Sequence, residues 1–162
     1  MPIEEPMMYE KLRNARGFSL IELMIALVIV AIIAAIALPN YKDSVVKSRR
    51  TEAKAALLDL QNRMERFFID HNSYANACIT GVGTCTAANS VLSSANTENG
   101  HYRLSITSDA TTYTLKADPQ GGQASSDTKC RALTLTNAGI KGIAAITNVT
   151  GTTPTGTAAD CW

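Results

Sequence analysis

The chain has 162 residues, room for one domain plus an appendage, and its 15 Lys and Arg are nearly balanced by 14 Asp and Glu. A formal charge of +1 with only 18% charged residues excludes a strongly basic nucleic-acid binder held by bulk electrostatics, and equally an acidic disordered tail. Residues 23–38 are sixteen apolar side chains in a row, whereas everything after about His71 is rich in Thr, Ser, Asn, Ala and Gly, so a uniform soluble globule is excluded as well.

Extended back to Phe18, the apolar segment has twenty-one residues interrupted only by Ser19 and Glu22. As a helix rising about 1.5 Å per residue it covers roughly 31 Å, enough to cross a bilayer core of about 30 Å. A cleaved secretory signal fits poorly. No small-x-small cleavage site closes the run, and Pro39-Asn40 gives way to another helical pattern. An ordinary membrane anchor fits the length but does not explain Glu22. A carboxylate near the start of such a helix costs on the order of 2.5–3.5 kcal/mol at the bilayer centre and less toward an interface. Either Glu22 lies among headgroups, or it meets a positive charge inside an apolar assembly. Counting charges does not orient the helix, because Lys11, Arg13 and Arg16 precede it and Lys42, Lys47, Arg49 and Arg50 follow.

The string Arg16-Gly17-Phe18-Ser19-Leu20-Ile21-Glu22-Leu23 resembles the prepilins of the type IV pilin family. Those carry a short leader ending in Gly, then an aromatic residue, Thr or Ser, Leu, Ile and Glu, and then an apolar helix. The resemblance implies cytoplasmic cleavage between Gly17 and Phe18 by a membrane prepilin peptidase, and N-methylation of the new Phe18 amine. It also implies that Glu22 pairs with the Phe18 amine of a neighbouring subunit in the filament. A paired buried carboxylate is tolerable where an unpaired one is very costly, so this charge would set the register of assembly. Gly17 suits close approach by an active site, having no Cβ. The leader of seventeen residues contains Glu4, Glu5 and Glu10; a start at Met7 or Met8 shortens it and leaves Glu10 as its only acid.

Pro39 lacks a backbone donor, so a kink or local melting is expected at residues 35–39, with a plain helix stop as the alternative. Beyond it Ala53, Leu57, Leu60, Met64, Phe67 and Phe68 recur at three- and four-residue steps, an amphipathic stripe laid on a sheet. The opposite face, Arg50, Lys54, Asp59, Arg63 and Arg66, reads as solvated. Between Lys42 and Lys54 stand five basic and two acidic residues, a composition able to attract lipid headgroups or acidic neighbours, to which the sequence assigns no ligand. The helix should end near His71-Asn72-Ser73. Residues 18–71 would measure roughly 80 Å as one helix, too long for a head of about ninety residues to bury. Lipid or copies of itself must cover the first half, which is the physical case for polymerisation.

The remaining segment has 17 Thr in 91 residues and three alternating stretches, 102–106, 113–117 and 132–136, which read as strands of a small antiparallel sheet. Asp109-Ala110-Thr111-Thr112 reads as a hairpin connection, and Pro119-Gln120-Gly121-Gly122 opens a longer one. Residues 137–160 read as an irregular tail that needs a fastener. A long helix, then a hairpin-connected sheet, then a pinned C-terminal loop is the pilin order, so the expected class is α+β with the type IV pilin fold. The expected divisions are a leader at 1–17, a membrane and filament-core helix at 18–39, an amphipathic helix at 40–72 and a head at 73–162. The stretch from Tyr113 through Cys130, containing Asp118-Pro119-Gln120-Gly121-Gly122, together with Cys161-Trp162, is similar to the PilE and ComP-like minor pilin subgroup.

All four cysteines fall in the head, and neither His71 nor His101 stands at metal-ligand spacing to them. Outside the inner membrane disulfides are expected. Of three open pairings the favoured one is Cys78–Cys85, closing the loop after the helix, with Cys130–Cys161 pinning the tail. The second loop would contribute about 3–4 kcal/mol on the chain-entropy model. No catalytic motif, metal set or cofactor-binding loop emerges, so no enzyme is expected. Asn148-Val149-Thr150 matches a glycosylation sequon, as a Thr-rich tail readily does by chance.

The leading expectation is a structural subunit, a minor pilin, held in the inner membrane with a periplasmic head and then assembled into an extracellular type IV pilus. Its implied partners are other pilins, the prepilin peptidase and the inner-membrane assembly platform; such filaments serve twitching motility, adhesion, secretion or DNA uptake. The second is a ComP-like DNA-uptake receptor. Because the head carries five basic and five acidic residues, DNA would need a local patch such as Lys129, Arg131 and Lys141, with weak, salt-sensitive binding. The third is a type II secretion pseudopilin. The calcium site usual in its major form is disfavoured here, because Asp127 and Asp160 are the only acids of the tail. A plain membrane-anchored sensor would leave Gly17-Phe18 and Glu22 as accidents. A surface ligand other than DNA also fits the adhesive role.

Overall fold

The computed structural model describes residues 17–147 and 153–162. The leader before Gly17, the alternative starts and the sequon at 148–150 lie outside the described residues. The chain divides into two compact units, one ending at Asn40 and one covering Tyr41–Trp162.

Helix α1 (Leu20–His71) is assigned without a break across 52 residues, with Pro39 inside it. The expected melting and the alternative of a stop at Pro39 are therefore both corrected. Proline removes one backbone donor, but the turns on either side keep theirs, and Asn40 Nδ2 adds a bond to the Ile36 carbonyl at 3.1 Å. In the first unit the apolar side chains find no cover: Phe18 is 81% exposed and Ile36 66%.

The second unit has its own core. Ala53, Leu57, Leu60, Met64 and Phe67 form the buried stripe of α1. They pack with Tyr102, Leu104, Tyr113, Leu115, Leu133 and Leu135 from the sheet. Each such leucine contributes about 1.5–3 kcal/mol by leaving water. The helix ends where Asn72 turns left-handed (φ 52°) and its N–H reaches the Phe68 carbonyl at 2.7 Å, a cap that Asn tolerates better than other side chains. Glu65 then ties helix to sheet, accepting from the hydroxyls of Tyr113 at 2.6 Å and Tyr74 at 2.9 Å.

After the helix come β1 (Cys78–Ile79) and β2 (Ser90–Leu92), a short parallel pair. The main sheet is antiparallel in the order β3 (Tyr102–Ser108), β4 (Tyr113–Pro119), β5 (Ala132–Thr136) and β6 (Lys141–Ala144). Its register sets Leu104 opposite Ala117 and Leu115 opposite Leu135, so the apolar alternation lines one face. Between β3 and β4, Asp109 accepts from the hydroxyl and backbone of Thr112 and the backbone of Thr111. Those bonds hold its carboxyl down at about 2.

Three readings need correction. Residues 137–160 are not uniformly irregular, because they contain β6 and most of α3 (Ala158–Cys161). Strand β6 has little alternation to announce it; Gly142 lets Thr134 come so close that a Cβ there would lie 2.5 Å from its hydroxyl oxygen. Helix α3 is a single turn made by a capping box between Thr157 and Asp160. The connection opened by Pro119 forms helix α2 (Gly121–Ser126) despite its two glycines, because tertiary bonds donated by Gln123 Nε2 to the Tyr102 hydroxyl and the Val46 carbonyl override local propensity.

The third correction is Arg50, read as solvated but buried. Its Nε and a terminal nitrogen donate to the two carboxylate oxygens of Asp127, each at 2.7 Å. Asp127 accepts further bonds from Gln123 Nε2 at 3.2 Å and the Cys130 backbone at 3.0 Å, and Gln123 Nε2 also reaches the Tyr102 hydroxyl at 2.9 Å. Cys130 is bridged to Cys161, and Cys78 to Cys85. One carboxylate thus joins α1, α2 and the disulfide-bearing turn.

Replacing Asp127 with Ala leaves Arg50 buried without its partner, and urea denaturation is expected to show a loss of about 3–5 kcal/mol. The double variant Arg50→Met, Asp127→Leu should recover much of it, since two apolar side chains leave no unpaired charge. A second expectation concerns alkali. Burial is the main cause that pushes the Tyr102 hydroxyl up to about 12, whereas in the unfolded chain it ionises near about 10. The stabilisation from the neutral phenol is therefore complete below about pH 10 and is lost as pH rises through about 12. Tyrosinate absorbance and loss of ellipticity should rise together in that window.

Candidate functional site

The first unit presents a chemically simple surface. Gly17, Phe18 and Ser19 precede the helix, and a Cβ placed on Gly17 would meet nothing within 4 Å. Glu22 falls in the first turn of α1, where a negative charge is favoured by the helix dipole. Around it Leu20, Ile21, Leu23, Met24 and Ile25 are all more than half exposed. Helix α1 is long and apolar enough to cross a membrane, and none of its most apolar eighteen-residue window is buried. The arrangement is a carboxylate on a greasy rod, with a Gly-Phe step four to five residues before it.

In the second unit, polar chemistry gathers on the sheet face opposite the core. Arg103 on β3 stands across from Asp118 on β4, and Ser105 across from Lys116. Asp118 is almost fully buried; it accepts from the Thr147 backbone at 3.1 Å and hydroxyl at 2.9 Å, and pairs with Lys116 at 2.9 Å. The Lys116 charge is therefore spent. The Arg103 side chain is exposed and has no hydrogen bond or ion pair to any described residue. It borders a groove of about 460 Å³ that also touches Val82 and Thr147. Sequence reasoning passed over Arg103 because an isolated outward Arg on a strand carries no motif; its pairing register is the signal that marks it.

The three basic residues singled out near the tail each meet a different partner. Lys129 lies 3.6 Å from Asp160. Arg131 adopts a left-handed backbone (φ 54°) and donates to the Ala124 carbonyl at 3.0 Å, leaving its Nε buried without a partner. Lys141 stands over the Trp162 ring, 5.4 Å from its centroid, while the indole N–H donates to the Gly142 carbonyl at 2.9 Å. Among the described residues no group of three or more His, Cys, Asp or Glu is placed to hold a metal.

Residues 12–38 match the prokaryotic N-terminal methylation motif. Residues 39–134, more than half of the chain, match the family described as "Type IV minor pilin ComP, DNA uptake sequence receptor". The chain is similar to the type IV wide pilus major component PilA4 of Thermus thermophilus, 42% identical over 65 residues, covering 40% of this chain and 50% of that protein. It is also similar to the type IV major pilin protein PilA of Myxococcus xanthus, 43% identical over 61 residues, or 38% of this chain and 28% of that one. A type II secretion system core protein G of Pectobacterium carotovorum is 30% identical over 59 residues, 36% of this chain and 38% of its own length. The chain thus spans half or less of each of these relatives. Pilin homologues are structural subunits and not enzymes, and with the head match extending well past the shared N-terminal motif, this chain belongs to the ComP family of type IV pilins.

Proposed function

We propose that the chain is a minor subunit of a type IV pilus, cut between Gly17 and Phe18, methylated at Phe18 and inserted into the filament through its apolar helix. The observation that carries this reading is Glu22, one acid in a run of apolar side chains that no described residue covers. In lipid that carboxylate stays near the headgroups; in a bundle of like helices it is stabilised by the Phe18 amine of the next subunit. Pro39 supplies a point at which the helix can bend as it packs. Prepilin peptidase and an inner-membrane assembly platform are the partners this route requires, with the head periplasmic before assembly and extracellular after it.

Glu22→Gln is expected to leave the membrane-bound pool unchanged and lower the amount in sheared filaments by about tenfold or more, read by immunoblot. An unchanged filament fraction overturns the pairing. Mass spectrometry of the mature N-terminus reads the processing separately, with methylated Phe18 as the expected product.

A second reading is favoured by the family match and by Arg103: reception of DNA on the head. With no net basic charge in the head, affinity rests on few phosphate contacts and falls steeply with salt. Full-length protein in micelles is expected to retard duplex DNA at tens of micromolar in low salt only, with Arg103→Ala weakening the shift more than Lys141→Ala. No retardation at low salt removes this reading and leaves the filament reading intact. The third, a type II secretion pseudopilin, has only the partial similarity to core protein G behind it.

A further inference from the structure

A cleft of about 430 Å³ opens in the second unit, between residues 43–50 of α1 and the chain around Ser126, Thr128, Lys129 and Asp160. Its floor is neutral, because Arg50 and Asp127 satisfy each other. Four charged groups ring the opening: Asp43 and Lys47 from the helix, Lys129 and Asp160 from the C-terminal part. Asp43 and Lys47 have the i,i+4 spacing at which helices pair opposite charges, yet no ion pair joins them. Lys129 and Asp160 form a partly exposed ion pair at 3.6 Å, longer than a direct hydrogen bond, so a ligand can compete for both ends. Asp160 is held in place by the Thr157 backbone at 3.2 Å and hydroxyl at 2.9 Å, bonds that also keep its carboxyl below the usual range.

Two cations and two carboxylates around one cleft match neither a bare anion nor a bare cation. They match a ligand that carries both signs a few bonds apart, such as a phosphate linked to a primary ammonium. The position in the chain indicates where that ligand is met. Asp43 and Lys47 follow Leu38, the last residue of the apolar run, by five and nine residues, in the first turns of α1 beyond it. That is where lipid headgroups concentrate. We propose that this cleft binds the phosphoethanolamine headgroup of a bilayer lipid, phosphate toward Lys47 and Lys129, ammonium toward Asp43 and Asp160. The assignment rests on residues 18–38 spanning the membrane. It gives the head a hold on the leaflet that must be released before the subunit joins a filament.

The test uses the full chain in micelles doped equally with phosphatidylethanolamine, phosphatidylcholine and phosphatidylglycerol, with retained lipids counted by native mass spectrometry. Phosphatidylethanolamine is expected to exceed phosphatidylcholine by about threefold, the equivalent of one partly exposed ion pair, because a trimethylated head cannot donate to the carboxylates. Asp43→Asn should abolish that excess without lowering phosphatidylglycerol retention, which Lys42 and Arg49 can carry. Arg63→Gln, exposed and remote from the cleft lining, should change nothing. Equal retention of the two zwitterionic lipids, or an excess that survives Asp43→Asn, overturns the proposal. Co-flotation of the chain with phosphatidylcholine vesicles reads the membrane span independently. A chain that floats without preferring ethanolamine refutes the cleft alone; one that does not float refutes the span.

Discussion

The constraint on which everything else depends is that apolar area must be covered, and this chain cannot cover its own. The large apolar side chains that follow Phe18 are all more than half exposed, while the later half of the same helix loses Ala53, Leu57, Leu60 and Met64 completely to a core. One secondary-structure element therefore answers to two different environments. The head is a folded object in its own right, and the rod before it is an unfinished interface whose cover comes from lipid or from other chains. A lone carboxylate on that rod, Glu22, is costly in the first setting and, on the function proposed above, useful in the second.

Inside the head the same economy of polar groups recurs around Asp127. A carboxylate with no exposed side-chain surface accepts four hydrogen bonds, two of them from Arg50. Buried pairs of this kind add little net stability compared with apolar packing, but they punish any other arrangement. Here the arrangement they enforce is the seating of α2 and the Cys130 turn on α1. The glycine-rich start of α2 could not hold that geometry by propensity alone.

Much of this was legible beforehand, for identifiable reasons. The helix stripe and strands β3, β4 and β5 follow from periodicity, since burial on one face forces a pattern of 3.6 or 2 in the sequence. Arg50 was misread because it falls among Lys47, Arg49 and Lys54, and nothing local separates a charge that meets solvent from one that meets an acid seventy-seven residues away. Strand β6 and helix α3 were missed because each is four residues long and is specified by its neighbours, Thr134 for one and a side-chain cap for the other. Arg103 illustrates the same limit from the other side: that its side chain pairs with no described residue is a property of the sheet, and no inspection of its flanking residues reveals it.

The two disulfides differ in what they fasten. Cys130 and Cys161 are buried among core side chains, whereas Cys78 and Cys85 are half-exposed and enclose a short loop with two left-handed glycines, Gly81 and Gly83. That loop is closed at its own base; Ile79 and Val82 pack on the core and Thr80 bonds to Leu92 and Ser90, which leaves the exposed tip at Gly83 and Thr84 as its free part. Such a tip is a natural location for the grafting of foreign peptides, since it can be rewritten while the helix-to-sheet packing beneath it is preserved.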